Sequence, residues 1–82
     1  MSEERLKFQG RLMEKELTAK GLETQIDGLV RSLRDLLDPF EQTAELKTDL
    51  IADQAMRLGT LQIRYKEALA EIGAIKKVLG RA

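Results

Sequence analysis

From Phe40 to Leu79 the chain repeats itself in steps of four and three residues. Phe40, Ala44, Ile51, Leu58, Leu61, Tyr65, Ala68, Ile72, Ile75 and Leu79 keep the rhythm, with Lys47 and Gln54 as its polar interruptions. A period of 3.5 residues is the seam of a helix that packs left-handedly on another helix, because it keeps one apolar line facing the partner. Leu50, Leu69 and Val78 lie beside the seam and widen it. A seam that wide suits a bundle better than an isolated two-stranded coil.

Pro39 is the only proline and stands near the middle of the chain. Asp38 before it has the side chain of an N-cap, proline is tolerated at the first helical position, and Glu41 falls where a capping box places its acid. The residue before a proline avoids helical dihedrals, so an earlier helix should end near Leu36 or Leu37. The expected plan is a helix over about 3–36, a turn at 37–38 and a second helix over about 39–79.

The first helix repeats less cleanly. Leu22, Ile26, Leu29, Leu33 and Leu36 keep heptad steps, whereas farther back the stripe reads Leu6, Met13 and Leu17, with Phe8 and Leu12 alongside. Joining the two halves calls for a stutter near Lys20-Gly21. Ser2 followed by Glu3 and Glu4 makes a suitable N-terminus, since acids favour the positive end of the helix dipole.

A short turn between long amphipathic helices makes them antiparallel neighbours. The expected fold is all-α: one antiparallel, coiled-coil-like hairpin domain over residues 1–82. Two helices cannot cover seams of this width, and chains near this length rarely build a self-sufficient core. A four-helix or larger bundle of two or more copies is therefore expected, with the direction in which hairpins pair left open.

Gly10, Gly21, Gly28, Gly59 and Gly73 all fall within the expected helices, at a cost of roughly 1 kcal/mol each relative to alanine. Three readings account for them. They are tolerated on exposed faces; or Ala52, Gly59, Gly73 and Gly80, sharing a face broken only by Lys66, admit a close-packed helix; or the first helix breaks at Gly21 or Gly28. Gly80 before Arg81 reads as an ordinary C-terminal stop.

Composition removes most chemistry. There is no cysteine and no histidine, hence no disulfide, no thiolate metal site and neither of the usual partners for a catalytic serine. No enzymatic activity, cofactor or metal is expected. Glu41, Glu45, Asp49 and Asp53 form an i,i+4 row, but ion sites converge from several elements, so the row reads as a solvated helix start. No stretch approaches the roughly 20 apolar residues of a membrane span. Met-Ser-Glu-Glu-Arg lacks the apolar core of a signal peptide, so a cytoplasmic location is expected.

Lys and Arg number 14 and Asp and Glu 14, yet the charges are not mixed evenly. From residue 54 onward stand Arg57, Arg64, Lys66, Lys76, Lys77 and Arg81, against only Glu67 and Glu71. Such a basic segment is the candidate nucleic-acid contact. It also complements the helix dipole, and no aromatic residues are interleaved for base stacking.

The segments Leu36-Leu37-Asp38-Pro39-Phe40, Leu61-Gln62-Ile63-Arg64-Tyr65 and Ile75-Lys76-Lys77-Val78-Leu79-Gly80-Arg81 resemble small coiled-coil proteins encoded in the early regions of Mu-like prophages. The resemblance spans about half of the chain. It implies a setting and carries no catalytic or binding residue with it. The functional expectation is a non-enzymatic oligomerisation or protein-interaction module. The alternatives are an accessory nucleic-acid-binding protein and a small regulator of a larger enzyme.

Overall fold

A computed structural model describes residues 2–80. Helix α1 runs from Glu3 to Leu36 and helix α2 from Thr48 to Val78, with a single 3-10 turn at Thr43–Glu45 between them. The two helices lie antiparallel in a rod of 64 × 17 × 14 Å. The all-α hairpin expected from the two seams is therefore present.

Helix α1 begins as its sequence demands. Ser2 is extended, and its Oγ accepts a hydrogen bond from the Arg5 amide at 3.2 Å. Glu3 and Glu4 occupy the first turn beside the positive end of the dipole. At the far end of α2, Lys76 and Lys77 occupy the last turn, and Gly80 follows at φ 72°. The Gly80 amide closes the last turn on the Lys77 carbonyl at 3.1 Å, and the left-handed φ of Gly80 ends the helix, which is the glycine stop expected there.

The second helix starts later than its seam suggested. Asp38 accepts from the Phe40 amide through Oδ1 at 2.9 Å, and the Glu41 amide donates to the Asp38 carbonyl at 3.1 Å. The capping signature thus closes a tight turn instead of starting a helix. Phe40 is 92% exposed, Ala44 sits exposed in the 3-10 turn, and Lys47 precedes α2 as an exposed residue. These seam positions bury nothing. The reason is register. Lys15 faces Glu71 and Arg5 faces Leu79, so Leu36 comes level with the first turn of α2. Residues 39–47 lie past the end of α1, where a helix would have no partner. A two-residue turn would instead push Ile75 and Leu79 beyond the start of α1 and leave them in water.

The α1 seam is also more regular than its sequence suggested. Its inward positions are Phe8, Leu12, Lys15, Ala19, Leu22, Ile26, Leu29, Leu33 and Leu36, a run of four-and-three steps with no stutter. Leu6, Met13 and Leu17 are 54–74% exposed on the opposite face. Small Ala19 and charged Lys15 disguised the true line. Helix α1 continues through Gly21 and Gly28 without a break.

The core is Leu12, Ala19, Leu22, Ala68, Ile72, Ile75 and Leu79, with Phe8, Leu61 and Tyr65 packed against it. The buried residues lie in the half of the rod away from the loop or at its middle. Toward the loop the seam residues Ile26, Leu29, Leu33, Leu36, Ile51 and Leu58 are only half-buried.

Candidate interaction surface

Polar contacts between the helices sit at the open end of the hairpin. Arg5 Nη2 donates to the Leu79 carbonyl at 3.2 Å, satisfying an acceptor that the end of α2 leaves free. Lys15 Nζ and Glu71 Oε2 are 2.7 Å apart. The Arg11 guanidinium lies over the Phe8 ring, 5.6 Å from its centre. Gln54 interrupts the α2 seam from inside: its Oε1 is buried with no hydrogen-bond partner.

Two grooves flank the half of the rod nearer the loop. One holds about 680 Å³ between Gln25, Leu29, Met56, Arg57 and Leu61, with the Asp53–Arg57 ion pair at 3.4 Å on its rim. The other is smaller, about 380 Å³, and wholly uncharged, between Ile26, Val30, Ala55, Leu58, Gly59 and Gln62. Asp53 and Arg57 are the titratable groups lining the larger groove, and they pair with each other. Among the described residues no three carboxylates converge as a metal site. The expected acidic row is split by the loop, since Glu41 and Glu45 precede α2 and only Asp49 and Asp53 stand on it.

The basic residues of the candidate nucleic-acid contact do not converge either. Arg57 and Arg64 share the flank that carries the larger groove, Lys76 lies on the opposite flank, and Lys66 and Lys77 point away from α1. Arg57 is already paired with Asp53. Arg81 lies outside the described residues.

What the surface offers is apolar area. Leu6, Met13 and Leu17 on α1, and Met56, Ile63 and Leu69 on α2, are 46–76% exposed. A Cβ added at Gly10, Gly21, Gly28, Gly59 or Gly73 meets nothing within 4 Å, and Gly28 and Gly59 line the two grooves. None is needed for contact between α1 and α2. Among the described residues no helix is long and apolar enough to cross a membrane. No protein-family model, curated protein or solved structure matches the chain.

Proposed function

We propose that this chain is a non-enzymatic helical module whose role is protein–protein contact, and that its first partner is another copy of itself. The accessible surface carries the argument. It is 6567 Å², whereas a compact folded monomer of 9.3 kDa exposes about 5,000 Å². The surplus of roughly 1,600 Å² exceeds the ~800 Å² that each partner gives up in an ordinary stable interface. Exposed large apolar residues on both helices supply the kind of surface that association removes from water.

Two hairpins side by side make a four-helix assembly, and faces left open extend it to larger ones. Sedimentation or light scattering at micromolar concentration tests the reading. A mass of two or more chains is expected, and a stable, well-folded monomer would refute it. A cytoplasmic setting in a prophage early region belongs to the same proposal, and the neighbouring genes are where that part is checked.

A further inference from the structure

Helix α2 presents to solvent, on the side away from α1, a row spaced by heptads: Asp49, Met56, Ile63, Ala70 and Lys77. Ile63 is the midpoint of α2, equally far from Thr48 and Val78. It is 61% exposed and Met56 is 76% exposed, so neither is used in the hairpin.

We propose that two copies of the chain dimerise through this face, antiparallel, about a two-fold axis passing beside Ile63. This rests on the self-association proposed above and names its surface. Two-fold symmetry makes each contact occur twice, residue against counterpart. With the axis at Ile63, Ile63 meets its own copy, Met56 meets Ala70, and Asp49 meets Lys77. A large side chain is set against a small one and an acid against a base. On one flanking row, a residue out of step with the axis, Gly59 falls nearest Lys66 and Ala52 nearest Gly73. The glycines leave open space there, so the lysine stem has room and the backbones approach closely.

Charge selects the antiparallel direction over the parallel one. Residues 21–63, which form the half of the rod nearer the loop, hold eight acids and four bases, a net charge of −4. The rest of the chain holds six acids and ten bases, a net charge of +4. Parallel hairpins would stack like ends on like. Antiparallel hairpins set the acidic end of one beside the basic end of the other, and the two α2 dipoles also oppose. The axis at the helix midpoint allows overlap along the whole of α2, about 46 Å. The exposed apolar residues of α1, by contrast, are confined to its first half. The resulting dimer lays its four helices in one layer, α2 paired with α2 at the centre and the outer face of each α1 still open.

The chain has no cysteine, so introduced ones report cleanly. Mild oxidation of Ile63→Cys is expected to give a disulfide-linked dimer in high yield. Met56→Cys alone is expected to stay unlinked, because its two copies lie about 21 Å apart along the axis. Mixed with Ala70→Cys it should link. In uncrosslinked protein, Asp49→Lys and Lys77→Asp are each expected to weaken dimerisation about tenfold, as two symmetry-related pairs turn repulsive, and together to restore it. Circular dichroism confirms that each variant keeps its helix. A wild-type dimer in which Ile63→Cys fails to link, or in which Met56→Cys links to itself, overturns this face and leaves self-association standing. A monomeric wild type overturns both.

Discussion

Lys15 and Glu71 meet across the hairpin at 2.7 Å, tying an inward position of α1 to the flank of α2. With Arg5 on the Leu79 carbonyl, the pair marks how far α2 slides along α1. That offset decides which apolar residues are buried and how long the loop must be. The pair itself contributes little energy. Its side chains are 38% and 52% exposed, so water screens the attraction. Glu71→Ala should cost less than about 1 kcal/mol in urea unfolding. The loss should shrink further at high salt.

The apolar contacts beside it carry far more. Leu12 is 2% exposed and belongs to the core, whereas Leu6, one and a half turns earlier, is 54% exposed. Leu12→Ala should destabilise the fold by about 2–5 kcal/mol, enough to unfold much of so small a protein. Leu6→Ala should leave the hairpin within about 0.5 kcal/mol of the parent. Thermal melts at one fixed protein concentration compare the two directly.

Glycine substitutions should divide by backbone conformation. Gly10, Gly21 and Gly28 are helical with open space where a Cβ would stand, so each alanine replacement should stabilise by about 0.5–1 kcal/mol. Gly80→Ala should act the other way, because φ 72° strains any residue with a side chain. Equilibrium unfolding of the four single variants reads the sign of each change.

Gln54 gives a test in the seam. Its Oε1 is buried without a donor, a state that costs about 1–3 kcal/mol. Gln54→Leu removes the orphan and adds apolar contact, so it should raise the urea midpoint. A lowered midpoint would show that the amide oxygen is satisfied in solution.

The alternation of apolar steps was enough to reveal two antiparallel helices, the start of α1 at Ser2 and the stop at Gly80. It failed where local chemistry and long-range register compete. Asp38-Pro39-Phe40-Glu41 carries every local mark of a helix start, yet its place past the end of α1 leaves those residues nothing to pack on. Lys15 does not announce itself as a seam residue, because charge hides a position whose carbon stem can still pack. Met13 and Leu17 read as seam residues by size, yet size alone does not show which way a residue faces. The candidate surface was partly legible: the row of small residues on α2 and its acidic start and basic end are visible in the sequence. That Met56 and Ile63, beside this row, face away from α1 depends on which stripe the hairpin buries, and only the folded pairing decides that.

The core sits at the end of the rod opposite the loop, and this has a kinetic consequence. Contacts near the loop, such as Leu36 with the first turn of α2, close a short stretch of chain but bury little. Leu12 and Ile75 close a much longer one, at about 1.5 kcal/mol more in chain entropy, and hold most of the reward. A zipper starting at the loop therefore gains almost nothing over its first turns. The rate-limiting step should come late, once the open ends meet. Substitutions at Leu12 or Ile75 should then slow folding itself, while those near Leu36 should mainly alter how fast the loop end frays.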